Sequence, residues 1–503
     1  MTWAGAPLPS ERVEWVCKSM RASGLVISFI VARQTDPSNR AQIKDLRQNR
    51  LMNDANHLSA QKSATEKAEF EGRNNNRSRT PNSPEFLAFI GGQWNNPAPS
   101  AGAVAAEPTI REAAKYAAAR RAKVAERFAG QLVVIAAGPL KTRSNDTEYR
   151  YRPHSAFAHL TGWGAATEPD SVLVIDAREA GVHGDHSHRE ATSTLFFRPS
   201  AGHGTNEFFA NPTIGEFWVG HRPNLEQVSE LLGISTRDIA DFETFISGAE
   251  NVIDLDFEEV LEFAGELRLV KDDFEISEMR KAVAASVKGF ENVVRALPAA
   301  AGNARGERIV ETAFYSAARI HGNDLGYDTI AAAGPNACIL HWIVNDGPAN
   351  NGDLILVDAG VELDSLYTAD VTRTLPISGT YSDAQREVYN AVLEAADAVF
   401  AIAKPGIKFR ELHATAMAVI ARHTAAWGLL PISAEESMQP DRQYHRRFMV
   451  HGTSHHLGMD VHDCSQARRE MSLDGELKPG MIFTIEPGLY FHPNDQLAPE
   501  RFK

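Results

Sequence analysis

Three acidic side chains near the C-terminal end of this chain are set against apolar runs, and that placement restricts the fold more than any other feature. Asp358 closes Leu354-Ile355-Leu356-Val357, Asp370 lies in Tyr367-Thr368-Ala369-Asp370-Val371-Thr372-Arg373-Thr374, and Glu486 closes Met481-Ile482-Phe483-Thr484-Ile485. A carboxylate at the end of a buried strand is strongly destabilising unless a cation or partner compensates it. His455, in His451-Gly452-Thr453-Ser454-His455-His456-Leu457-Gly458, adds an imidazole. Two such carboxylates, a third acid and an imidazole suggest a hydrated divalent metal site.

The spacing sharpens the expectation. Asp358 and Asp370 are twelve residues apart, with Gly360 and an acidic turn containing Asp364 between them. This fits two neighbouring antiparallel strands whose carboxylates converge, and like charges that close do not both stay ionised without a cation. His455 alone is weak evidence, since a satisfied buried histidine is common. Four imidazoles within twelve residues (His451, His455, His456 and His462), flanked by glycine and Asp463, instead suggest one ligand with proton-handling companions. Glu486 precedes Pro487-Gly488, so no helix solvates it.

Composition bounds the rest. The 503 residues allow two to four domains, and 43% hydrophobic with 23% charged content is ordinary for a soluble globular protein. The net charge of −14 is uneven: residues 1–80 carry thirteen Lys/Arg against eight Asp/Glu, so the remainder stands at −19. An acidic body argues against nucleic acid as a partner. Three scattered cysteines, Cys17, Cys338 and Cys464, give neither a disulfide framework nor a zinc knuckle, which points to a reducing cytoplasm. The apolar run Leu25–Ala32 is too short to span a bilayer and has no convincing cleavage site after it, so no membrane association is expected.

The chain reads as three parts. Residues 1–80 form a tail, polar and aperiodic over 33–80, expected to be disordered. Residues 81–267 read as a smaller α/β domain, and residues 268–503 as a larger α/β domain that holds every strong motif. After a Pro- and Ala-rich stretch at 95–107, Thr109 and Glu112 predict a capping box for a helix to about Phe128. Gln131–Ala136, Ser171–Ile175 and Thr194–Arg198 predict strands, and Asn224–Leu232 a helix. The histidines His183, His186 and His188 read as a solvated loop. Residues 272–297 predict an amphipathic helix, and Ser382 with Gln385 caps another that Pro405-Gly406 ends.

Taken together, Asp-Ala-Gly, Tyr-x-x-Asp-x-Thr-Arg-Thr, His-Gly-x-Ser-His and Glu-Pro-Gly-Leu-Tyr resemble the metal-dependent aminopeptidase P (Xaa-Pro aminopeptidase) branch of the pita-bread metallopeptidases. The resemblance covers roughly residues 82–503. Tyr151–Gly162 is similar to a segment of that family's N-terminal domain, and Lys141–Thr147 resembles actinobacterial members. It implies the fold class α/β (α+β), with an aminopeptidase P-type N-terminal domain before a pita-bread catalytic domain. It implies two divalent metal ions, usually Mn(II): Asp358 would hold one, Asp370 would bridge both, and His455 and Glu486 would bind the other. By the same resemblance His341 would line the substrate site, His451 and His462 would bind substrate and handle charge, and Glu486 would move a proton. The implied substrates are peptides with proline second, and the implied assembly is a homo-oligomer.

The family has a further bridging glutamate in an Arg-Ile-Glu-Asp type strand, about two dozen residues after Glu-Pro-Gly. The sequence here runs from Phe491 to Lys503 without it, and Glu500 falls in what resembles the preceding loop. The expectation is therefore a pita-bread domain lacking its last strands, weaker binding of the metal held by Asp358 and Asp370, and reduced activity of this chain. A prolidase confined to Xaa-Pro dipeptides is the nearest alternative, and a non-catalytic pita-bread peptide-binding protein is another. Creatinase shares the fold but lacks the ligands, so Asp358, Asp370 and His455 argue against it.

Overall fold

The computed structural model describes residues 82–92, 111–145, 147–178 and 191–502. The expectations for residues 1–80, for the stretch at 95–107 and for His183, His186 and His188 lie outside them. The described chain divides into two compact units. The larger holds residues 111–178, 191–194 and 247–502, and the smaller holds 82–92 and 195–246.

The larger unit begins with α1 (Glu112–Arg127), which buries Ala114, Ala117, Arg120, Arg121 and Val124 on one face. Glu112 is its first residue rather than its third, and the cap position is Arg111, which makes no side-chain cap bond. Thr109, the other half of the expected capping box, lies outside the described residues. Arg111 instead donates from its guanidinium to the Trp163 carbonyl at 2.5 Å, so tertiary contact fixes the helix. Strand β1 (Leu132–Ala136) pairs antiparallel with β2 (Val172–Asp176) and parallel with β3 (Val252–Asp254). Between β1 and β2 lies α2 (Ser155–Thr161), every residue of which is buried. It stops at Gly162, whose φ of +75° favours glycine and whose missing Cβ lets the backbone of Ala113 and Ala114 pass.

Helix α3 (Glu258–Leu267) leads to the long α4 (Asp273–Ala300), whose start is fixed by the reciprocal capping box of Asp272 and Glu275. Helix α5 (Gly306–His321) packs on α4, and both cover a three-stranded antiparallel sheet. Its strands are β4 (Ile330–Ala333), β5 (Leu354–Ala359) and β6 (Val371–Pro376), in the order β6-β5-β4. Val293, Leu297, Val310 and Phe314 from the helices meet Ile355 and Val357 from β5 in one core. Each contributes about 1.5–3 kcal/mol of burial free energy.

A second helix pair repeats the arrangement. Helix α6 (Asp383–Ile402) starts with the expected Ser382/Gln385 capping box and ends before Pro405, and α7 (Phe409–Ala426) packs against it. Val399, Leu412 and Ile420 cover Met481, Phe483 and Ile485. Residues 453–457 and 482–486 run antiparallel through backbone bonds from Leu457 to Ile482, Thr484 to His455 and Glu486 to Thr453.

The smaller unit is built around Phe196, which packs on Phe242 and Phe245. Its helix Leu225–Leu232 carries a full capping box of Asn224 and Gln227. Among the described residues no helix is long and apolar enough to cross a membrane.

Candidate active site

The β5/β6 register pairs Asp358 with Thr372, and Asp370 lies two residues before Thr372. Alternation along an extended chain therefore puts Asp358, Asp370 and Thr372 on one face. Gly360 is required at the turn that follows Asp358, because a Cβ there would overlap the Ala369 carbonyl oxygen. Asp358 is 1% exposed and Asp370 0%.

The paired segments 453–457 and 482–486 deliver the other two predicted ligands. The backbone N–H of Glu486 donates to the Thr453 carbonyl at 2.8 Å, and Glu486 Oε1 accepts from the Thr484 hydroxyl at 2.8 Å. That hydroxyl in turn accepts the His455 backbone N–H at 2.8 Å. The His455 ring stands with Nδ1 3.0 Å from the His456 carbonyl, which can only accept, so Nδ1 carries a proton. Nε2 is then turned to the acids, 3.2 Å from Glu486 Oε1 and 3.5 Å from Asp370 Oδ2.

Four groups from four separate segments thus meet at one point. Asp370 Oδ2, Glu486 Oε2 and His455 Nε2 are buried and have no hydrogen-bond partner among the described residues. Tyr327 supplies a donor between the aspartates: its hydroxyl is 2.6 Å from Asp358 Oδ1 and also contacts Asp370 Oδ1. A phenol carries one proton and satisfies one carboxylate at a time. Burial, and then the neighbouring Asp370 charge, push the Asp358 and Glu486 carboxyls well above the usual range. Unpartnered acceptors of this kind, oxygen-rich with one imidazole, fit divalent cations.

The remaining predicted histidines gather around these groups, with one exception. His451 donates from Nδ1 to the Gly452 carbonyl at 2.7 Å, and its Nε2 takes the Tyr490 hydroxyl at 2.8 Å. Burial holds its pKa down to about 4. His462 stacks edge-on against His455, with ring centroids 4.6 Å apart. His341 is exposed and sits within electrostatic reach of both His451 and His462. The His456 ring stacks on Phe409 in the core, and the His456 carbonyl is the group that holds His455 Nδ1. A small pocket lined by Ile339, Leu340, Leu356, Thr372 and Tyr490 opens onto Asp358.

Sequence reasoning missed Tyr327, Thr484, Tyr490 and His413, whose Nδ1 lies 2.9 Å from the Thr453 hydroxyl. Thr484 was readable, because it lies two residues before Glu486 on the same face of an apolar strand. Tyr327 and His413 carry no local signal.

Residues 277–499 match Metallopeptidase family M24, and residues 117–252 match Aminopeptidase P, N-terminal domain. Xaa-Pro aminopeptidase 1 of Streptomyces coelicolor is 45% identical over 413 residues, covering 78% of this chain and 80% of the relative. Xaa-Pro aminopeptidase of Escherichia coli is 29% identical over 421 residues, covering 76% of this chain and 88% of the relative. Among solved structures, E. coli aminopeptidase P with the inhibitor Pro-Leu superposes with a TM-score of 0.66 at 28% identity, covering 78% of this chain and 90% of that one. Proline aminopeptidase P II from Yersinia pestis gives 0.65 at 28% identity, covering 78% and 91%. The chain therefore belongs to the Xaa-Pro aminopeptidases, M24 metallopeptidases that place an aminopeptidase P-type N-terminal domain before a pita-bread domain.

Proposed function

We propose that this chain hydrolyses the peptide bond between an N-terminal residue and a following proline. The observation that carries this reading is the convergence beside Asp358 of Asp370 Oδ2, Glu486 Oε2 and His455 Nε2, all buried and without a hydrogen-bond partner among the described residues. These four residues would hold two divalent cations, taken to be Mn(II). When bound, such cations lower the pKa of water and polarise a carbonyl oxygen.

The chain's own groups supply the remaining steps. Glu486 is positioned by Thr484 to accept the proton of an attacking water and pass it to the proline nitrogen. His451, oriented by Tyr490, and His462 hold the substrate carbonyl and the charge that develops on its oxygen. His341 borders the path by which the peptide enters. Selection of proline rests on its tertiary amide, which has no N–H to satisfy and a restricted shape. The expected assembly is a homo-oligomer.

Assay of Arg-Pro-Pro beside the dipeptide Arg-Pro, with Mn(II) added, tests the reading. Release of arginine from the tripeptide is the expected result. Cleavage of the dipeptide alone would make the chain a prolidase, and peptide binding without turnover at saturating Mn(II) would make it a non-catalytic binder.

A further inference from the structure

The loop after β4, residues 334–350, carries His341 together with the exposed apolar side chains Ile339, Ile343 and Val344. Inward, the loop packs through Ala337 and Trp342 on Ile330 and Ala332. Its anchor lies beneath it. Glu307, the second residue of α5, is 0% exposed and receives four hydrogen bonds. Oε1 accepts from the Ala333 backbone N–H at 2.7 Å and from the Asn336 side-chain amide at 3.0 Å. Oε2 accepts from the Trp342 indole N–H at 2.8 Å and from the Gly347 backbone N–H at 2.6 Å.

All four donors are neutral N–H groups, and they are spread over the loop: its entry, its first turn, the residue after His341, and its exit. Bonds to an ionised acceptor are roughly twice as strong as neutral ones. The fit is tight as well, since a Cβ at Gly347 would meet Glu307 Oε2 at 2.8 Å and the Asn336 amide at 2.5 Å. Asn345, also 0% exposed, adds a second tie by accepting from Ala331 N–H at 2.9 Å and donating to the Thr329 carbonyl at 2.8 Å.

We propose that Glu307 is a positioning residue for the reaction: its carboxylate clasps the 334–350 loop so that His341 is held over the carboxylate–imidazole cluster before substrate arrives. The proposal rests on the role given to His341 above. It assigns a buried acid that lies outside the cluster and touches none of its members.

The test is Glu307→Gln, which keeps the size but points an NH2 group at donors. Two measurements are made: hydrogen exchange of the whole chain, and kcat/KM on Arg-Pro-Pro in the wild-type and His341→Ala backgrounds. Faster exchange confined to residues 334–347, with 453–457 and 482–486 unchanged, is expected. Displacement of a positioned group by about 1 Å costs on the order of 100-fold in rate, so kcat/KM should fall about tenfold or more. In the His341→Ala background the same substitution should change kcat/KM by less than about twofold, because the group it positions is already gone. Unchanged exchange in the loop, or effects of the two substitutions that multiply, would overturn the proposal. If Glu307→Gln does not fold, Trp342→Phe removes one donor and carries the same measurements and criteria. A wild-type chain without turnover would defeat the proposed function, and the exchange result would still decide whether Glu307 holds the loop.

Discussion

The segment that carries His462 is tied down by a buried ion pair, and the loss of that pair is the most quantitative expectation the structure offers. Lys271, whose side chain is 0% exposed, places Nζ 2.9 Å from Asp463 Oδ2, and Arg268 stands 3.4 Å from Asp463 Oδ1. The Asp463 backbone N–H also donates to the His456 carbonyl that orients His455. Two unit charges 2.9 Å apart attract by roughly 6 kcal/mol at an effective dielectric of about 20. Asp463→Asn removes that attraction and strands an ammonium in the core, a change that costs about 3–5 kcal/mol when one partner of a buried pair is lost. Lys271→Met with Asp463→Leu removes both charges and should return to within about 1–2 kcal/mol of wild type. Arg268 keeps its bond to Asp460 at 2.9 Å in that variant.

Guanidinium unfolding of the chelated protein reads these differences without a contribution from bound metal. The pH arm has a definite sign. Burial raises the Asp463 carboxyl, but Arg268 and Lys271 outweigh it and hold the group below the usual carboxylate range. Its stabilisation is therefore complete above the unfolded value of about 3.9 and is lost as pH falls below that. The gap between wild type and Asp463→Asn should close over that range. An Asp463→Asn variant within about 0.5 kcal/mol of wild type at pH 7, or a Lys271→Met/Asp463→Leu variant no more stable than Asp463→Asn, would refute the reasoning.

Two further outcomes follow from groups around the site. Thr484→Val removes the hydroxyl that holds both Glu486 and the His455 backbone, and should weaken Mn(II) binding by about 10–100-fold in a calorimetric titration. His159, fully buried against Glu275 at 3.1 Å, has its pKa drawn down to about 4 by burial and by Arg120. Stability tied to its neutral form is present above pH of about 6.5 and lost as pH falls toward about 4, by about 3 kcal/mol in all. His159→Gln should flatten the dependence of the denaturation midpoint on pH between 7 and 5.

The helix and strand periods were legible wherever a segment supplied its own signal. Ser382/Gln385 caps a helix as read from the sequence, and the helix read over Asn224–Leu232 forms over Leu225–Leu232. At the start of α1, Arg111 reaches the Trp163 carbonyl, a contact across 52 residues that no local pattern announces. The cluster itself was readable because a carboxylate ending an apolar run needs a reason. The packing of the His456 ring on Phe409 leaves no trace in local composition. Glu307 and Asp463 were invisible as anchors, since a buried acid satisfied by distant donors looks like any helix-start or loop acid until the chain is folded.

Two layers each bring half of the cluster: Asp358 and Asp370 come from the β5/β6 strands under the first helix pair, His455 and Glu486 from the paired segments 453–457 and 482–486 under the second. A cation held across that seam would close a covalent path of 85 residues between 370 and 455. In chain-entropy terms a link that closes a loop of that length restricts the unfolded ensemble by about 4–5 kcal/mol, much as a disulfide would. The same ions that serve the chemistry would then act as staples between the halves, and chelation would loosen the molecule as well as silence it.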